Sequence, residues 1–280
     1  MAIYPFYLCN VFAEKSASGD PLVIFDLADW PDEQVLQTLA YQINGSEVVF
    51  LHRSTSEVRF YHPQFSLPFS GKGLLGAAAL LAQQQTENTK IPLHCSAGNF
   101  ELSRQGEYLT LNTPAGRTRP PSRGQVELAF ALGIESHEVL PPIQFVDTGL
   151  EQLMVQVRSR QTVLQAKPHP ALLSEYAESP KQIAQAVVWQ REGDLITLRC
   201  FAADHFSVYE DFAAGGAALN IATAYLAAGG RLPLNVKFEQ GHTIERLISR
   251  LSHLYLHIDS KLDLHLKGKV LLIGSGELKI

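Results

Sequence analysis

Two glycine-bearing stretches and two acids are the residues whose types and spacing could do chemistry. Asp211-Phe212-Ala213-Ala214-Gly215-Gly216 opens a small-residue helix, residues 217–228, and follows a strand-like run at 195–201. Adjacent glycines let the backbone approach a ligand closely. A helix start offers unpaired N–H groups and a partial positive charge, which suit a carboxylate or phosphate. Asp211 precedes the first glycine by four residues and could work beside an anion held there. The same plan occurs earlier: a strand at 58–63, then Leu67-Pro68-Phe69-Ser70-Gly71-Lys72-Gly73, then an Ala/Leu helix to about Ala82. If the repeat is real, two helix starts face one another across a cleft. Glycine spacing alone is as simply explained by close packing at two ordinary turns. Glu47 follows Ser46 where a helix gives way to the apolar run 48–51. Enclosure there would raise its pKa into the range a general acid or base needs. From position alone, a surface glutamate at a strand start is the simpler account.

The elements that must position these residues are read from pattern. A strand over 4–11, a turn at 16–21 and a second strand over 22–25 open the chain. A helix then begins near Pro31, with Asp29 as cap, places Val35, Leu36, Leu39, Ala40 and Ile43 on one face, and stops at Asn44-Gly45. Residues 100–103 and 108–111 alternate around Gln105-Gly106, a hairpin. Residues 116–124, Pro-rich and carrying three arginines, read as a solvated linker. A helix at 126–132, strands at 143–146 and 153–157 around Asp147-Thr148-Gly149, a short helix at 170–176 and a strand pair at 186–189 and 195–201 follow. The tail reads as short strands, 253–258, 262–266, 270–273 and 277–280, broken by Gly268, Gly274 and Gly276. The expectation is an α+β chain of two similar domains, 1–118 and 119–280, each a mostly antiparallel sheet around a helix, with the last strands free to cross back to the first domain.

The chain has 280 residues, 46% hydrophobic and 18% charged, enough for a sizeable core. A net charge of −5 argues against a nucleic-acid-binding surface. No apolar run is long enough for a membrane span, and the N-terminus lacks the features of a signal peptide, so the cytoplasm is the expected location. The three cysteines, Cys9, Cys95 and Cys200, have no zinc spacing and are expected to be buried and inert. The ten histidines show no metal-ligand pairing with an acid.

Taken in order, several segments resemble the PhzF-like family. They are Asn10-Val11-Phe12, Ser18-Gly19-Asp20-Pro21-Leu22-Val23, Ile43-Asn44-Gly45-Ser46-Glu47-Val48, Leu67-Pro68-Phe69-Ser70-Gly71, Asp147-Thr148-Gly149-Leu150, Glu210-Asp211 with its glycines, Gln240-Gly241, and Gly274-Ser275-Gly276-Glu277-Leu278. The resemblance spans nearly the whole chain. It implies the diaminopimelate epimerase fold, with two barrel-like sheets each around a central helix and the active site between them. It also implies cofactor-independent proton shifts on a small carboxylate-bearing substrate, and a homodimer. Glu47 falls on the family's acid/base glutamate and Asp211 on its aspartate. Ser46, Gly71, Gly73, Gly215 and Gly216 fall where substrate would bind.

The departures are in the site itself. Lys72 stands where the family has histidine, and Phe212, Ala214 and Gly216 stand where it has proline, threonine and serine. A less polar, wider site is expected. Lys72 would bind a substrate carboxylate, shuttle a proton if burial lowers its pKa, or support a Schiff base. Neither glycine loop holds a cysteine, so two-thiol racemisation is discounted. The functional expectation is an isomerase or epimerase without cofactor or metal. The alternative is a metabolite-binding or interaction protein that kept the fold and lost the reaction.

Overall fold

The computed structural model describes residues 2–45, 47–83, 90–242 and 250–280. The first half runs β1 (Ile3–Val11), β2 (Asp20–Leu27), α1 (Glu33–Ile43), β3 (Val48–His52), β4 (Glu57–Tyr61), β5 (Ser66–Leu67), α2 (Gly71–Ala82), β6 (Lys90–Cys95), β7 (Gly98–Gln105) and β8 (Tyr108–Thr113). A short β9 (Arg117–Arg119) and α3 (Gln125–Ala131) lead into the second half. There β10 (Val139–Asp147), β11 (Glu151–Val157), α4 (Arg160–Gln165), α5 (Pro170–Tyr176), β12 (Ala184–Glu192), β13 (Leu195–Ala203), β14 (Val208–Asp211), α6 (Gly215–Ala227), β15 (Leu234–Gln240), β16 (Ser252–Ile258) and β17 (Leu264–Lys279) follow.

Strand pairing closes two rings. In the first, β1 pairs β2, β2 pairs β3, β3 pairs β4, β4 pairs β6, β6 pairs β7, and β7 pairs β8. Strand β17 closes it by pairing both β8 and β1. The second ring repeats the plan through β10, β11, β12, β13, β15, β16 and β17. Here the closing strand is β8 running on into β9: β8 pairs the start of β17, and β9 pairs β10. Each half therefore supplies the last strand of the other's barrel. In both rings the parallel pairs, β2–β3 and β4–β6, β11–β12 and β13–β15, each have at least one helix in the connection between their strands.

The two barrels are filled by α2 and α6. Helix α2 is buried on all sides, as a helix that is apolar all round must be. Its glycines and alanines let it thread the ring, and Leu74, Leu75 and Leu80, all fully buried, fill the gaps. Each leucine contributes about 1.5–3 kcal/mol. Helix α6 does the same in the second barrel with Ala217, Ala218, Leu219, Ile221 and Ala222.

Several local expectations change. Helix α1 begins after Asp32, not Asp29, and ends at Asn44 in the left-handed conformation. The expected linker is not free of structure: Arg117–Arg119 is a strand, and Arg119 grips Glu151 through two hydrogen bonds of 2.8 and 2.6 Å while stacking on Phe145. The first tail strand is β16, as expected, but the three later pieces are one long strand, β17, because its backbone pairing continues through Gly268 on β8 and through Gly274 and Gly276 on β1. Cys9 and Cys200 are buried, whereas Cys95 is only half-buried. Among the described residues no helix is long and apolar enough to cross a membrane.

Candidate functional site

The starts of α2 and α6 touch. A Cβ added at Gly71 would lie 3.1 Å from the Gly215 carbonyl carbon and 3.2 Å from the Gly216 nitrogen. A side chain there would push the two helix N-termini apart, whereas glycine lets them approach and places two sets of N–H groups and two positive dipole ends side by side. The glycines at 71, 73, 215 and 216 are thus brought together, as are Glu47, Lys72 and Asp211. Ser46 lies outside the described residues.

Lys72 is the single charged residue of α2 and is 1% exposed. Its Nζ donates to Asp20 Oδ2 at 2.7 Å and to Asp211 Oδ1 at 3.3 Å, and stands 3.8 Å from Glu47 Oε2. Burial by itself would lower its pKa; the charges of Asp20, Asp211 and Glu47 more than reverse this and raise it. The ammonium therefore keeps its proton. The conditions for a proton shuttle of lowered pKa, or for a Schiff-base nucleophile, are not met at this lysine.

Glu47 sits just before β3 and is 5% exposed. Burial pushes its pKa from an ordinary 4.5 up to about 7, opposed by the Lys72 charge and by a hydrogen bond with Ser70. Ser70 is also the N-cap of α2, its Oγ accepting from the Gly73 N–H at 2.8 Å, so the cap and the carboxylate share one hydroxyl. The other carboxylate oxygen, Oε1, is buried without a hydrogen-bond partner among the described residues. Gly73 makes room for it: a Cβ there would come 2.6 Å from Oε1 and 2.5 Å from the Phe60 ring. Gly73→Ala is expected to displace the Glu47 carboxylate and to cost about 1–3 kcal/mol of stability, read by urea denaturation. An alanine variant with wild-type stability would show that the helix start adjusts freely.

Asp211, at the end of β14, is the open member of the group, its side chain 35% exposed. Its Oδ1 also accepts the Ala213 N–H at 2.9 Å. The next N–H, of Ala214, donates to Gln240 Oε1 at 2.9 Å, which ties the second glycine loop to β15. Thr148 of the Asp147-Thr148-Gly149 turn faces α6: its N–H and hydroxyl both donate to Asn220 Oδ1, at 3.0 and 2.7 Å.

The expected wider, less polar site is not what forms. The Phe69 ring lies 3.6 Å from where a Cβ at Gly216 would stand, filling space a serine would have lined. Three carboxylates gather around one lysine, so the group is charge-dense and largely enclosed. Asp20 is the member that sequence reasoning placed in a turn and in a family-like segment without giving it a role at the site. Its signal was indirect: a lysine in an otherwise apolar buried helix requires a counter-charge, and Asp20 lies 52 positions away in sequence. Among the described residues no group of histidine, cysteine, aspartate and glutamate is placed to hold a metal ion.

Comparison with known proteins agrees with this architecture. The family described as phenazine biosynthesis-like protein matches residues 9–276. An uncharacterized isomerase of Pasteurella multocida is 31% identical over 286 residues, covering 98% of this chain and 94% of that protein. The trans-2,3-dihydro-3-hydroxyanthranilate isomerase of Pseudomonas chlororaphis is 27% identical, covering 93% of this chain and 92% of that protein. The crystal structure of a PhzF-family phenazine biosynthesis protein from Bacillus anthracis superposes with a TM-score of 0.81 at 20% identity, covering all of both chains. Paired barrels threaded by abutting helices and an ordered match along nearly the full length lead to one conclusion: this chain belongs to the phenazine biosynthesis-like (PhzF) family of isomerase-like proteins.

Proposed function

We propose that the protein is a cofactor-independent isomerase or epimerase that shifts a proton on a small carboxylate-bearing metabolite, with Glu47 as general acid/base. The reaction takes place in the cleft between the two halves, 1–118 and 119–280, acting as domains. The observation that carries this reading is a buried glutamate with a pKa near 7, one oxygen without a hydrogen-bond partner among the described residues, beside two abutting helix starts. The helix N–H groups hold the substrate carboxylate. Glu47 removes a proton from carbon, and the electron pair spreads onto the held carboxylate, where the dipole ends stabilise it. Protonated Glu47 then returns the proton to a second position. Lys72 keeps enough positive charge nearby for Glu47 to ionise near neutral pH, and Asp211 orients the Lys72 ammonium.

The test is deuterium wash-in. The protein is incubated in D₂O with a pool of small carboxylates that includes trans-2,3-dihydro-3-hydroxyanthranilate, the substrate named for one relative. Mass spectrometry reads label, and proton NMR reads any new isomer. Label or a new isomer is the expected result. A carboxylate that raises the melting temperature while yielding neither would replace this reading with a metabolite-binding one.

A further inference from the structure

The second barrel contains a cavity that the proton-transfer site does not use. It has a volume of about 260 Å³, close to the lower end of small-molecule sites at about 300 Å³. Met154, Trp189, Ile196, Ile221, Val236 and Phe238 form its wall. It lies along the later turns of α6, against Ile221, Ala224, Tyr225 and Ala228, which share one helix face by their spacing. Gly215 and Gly216 are at the opposite end of that helix. The alanines at 222, 224 and 228 are what leave the space open.

Two polar features accompany this apolar wall. The buried Trp189 indole N–H has no acceptor among the described residues, although a buried indole usually finds one. At the rim, the Arg191 guanidinium lies 5.3 Å from the Tyr225 ring centre and spends its Nε on the Gly193 carbonyl at 2.7 Å. The carboxylate paired with it, Asp194, is 4.0 Å away and exposed to solvent. Among the described residues, Arg191 is the single charged one that lines the cavity. The carbonyl end of α6 opposes an anion with about half a charge, and the full charge of Arg191 outweighs it.

We propose that this cavity is a binding site for a small arylalkyl monocarboxylate, with the hydrocarbon among Met154, Trp189 and Phe238 and the carboxylate on Arg191. Apolar walls with one cation at the rim are the chemistry such a ligand requires.

The chain has two tryptophans, Trp30 and Trp189, so a Trp30→Phe background makes Trp189 the only indole reporter. Titration with 3-phenylpropionate is expected to give a saturable change in Trp189 emission below about 10 mM. In that background, Arg191→Gln should weaken the acid about fivefold and leave the neutral 3-phenylpropan-1-ol unchanged. Ala224→Leu, which fills the cavity, should abolish both signals while circular dichroism stays native. Absence of a saturable change, or acid binding unaffected by Arg191→Gln, overturns the proposal. So does undiminished binding in a folded Ala224→Leu variant. If Ala224→Leu does not fold, the contrast between acid and alcohol in Arg191→Gln decides. Neither substitution touches Glu47, Lys72 or Asp211, so the result is independent of the proton-transfer reading.

Discussion

Glu47→Gln is expected to lower proton exchange by about 10²–10⁴-fold, the usual contribution of a positioned acid/base group. The amide keeps the size of the side chain and its reach to Ser70 but cannot take a proton from carbon. In the wild type, exchange at low substrate should rise with pH through about 7 and then level off, because the ionised carboxylate is the base. The same substitution should change stability in the opposite sense. The folded-state pKa of Glu47 is raised from 4.5 to about 7, so between those values the folded protein holds a proton that the unfolded chain has lost. Wild-type stability therefore falls as pH rises across that window. The total is on the order of 3 kcal/mol at most. Glu47→Gln removes the dependence, and the variant should unfold at higher urea than wild type at pH 8. A variant that is inactive and also less stable at pH 8 would mean that glutamine has disrupted the site, and the loss of exchange would then say nothing about proton transfer. Retained exchange in a folded variant would remove Glu47 from the mechanism.

Lys72→Met is expected to cost about 3–5 kcal/mol in urea denaturation at neutral pH, since it strips the cation from enclosed carboxylates while keeping a similar volume. Asp20 is the most affected, at 2.7 Å and nearly as buried as Lys72 itself. Adding Asp20→Asn to the methionine variant should recover more than half of the loss, because the unpaired charge is then gone. Failure to recover would place the cost in packing of the α2 start instead of in charge. The variant also carries a kinetic signature. The Lys72 charge holds the Glu47 pKa down, so without it the rise of exchange with pH should move to higher pH. A merely structural lysine would leave that midpoint where it is. A lysine of lowered pKa acting as the base would abolish exchange at every pH.

The substitution of lysine for the histidine that family resemblance leads one to expect thus changes the nature of the group. A histidine near neutrality can pass a proton. This lysine is held protonated by the carboxylates around it, so in the proposed mechanism it acts through its charge and a single carboxylate, Glu47, transfers the proton. One group serving both positions suits a shift on one face of the substrate. It suits less well an inversion that needs groups on opposite faces.

Much of the chain was legible locally. The hairpin at Gln105-Gly106, the α1 stop at Asn44, the short α5 and the two glycine-led central helices follow from periodicity and capping. The ordered motifs identified the family, and with it the paired-barrel fold. Other features depended on partners distant in sequence. Arg117–Arg119 reads as linker because nothing nearby shows that β10 will pair with it. Gly274 and Gly276 read as breaks because local propensity does not register the hydrogen bonds that β1 supplies opposite them. The exchange of closing strands between the halves depends on which ring edge each strand meets, and no local pattern encodes that.

The site divides the same way. Sequence by itself singled out the candidate residues, Glu47, Lys72 and Asp211, and the glycines that flank them, because residue type and motif order are local properties. Tertiary structure alone decided their state. Asp20 reaches Lys72 from 52 positions away and Asp211 from 139. Phe69 fills the place a serine would have lined. Whether a buried lysine loses its proton or keeps it depends on the balance between desolvation and neighbouring charge, and that balance is set only when the two barrels bring those charges together.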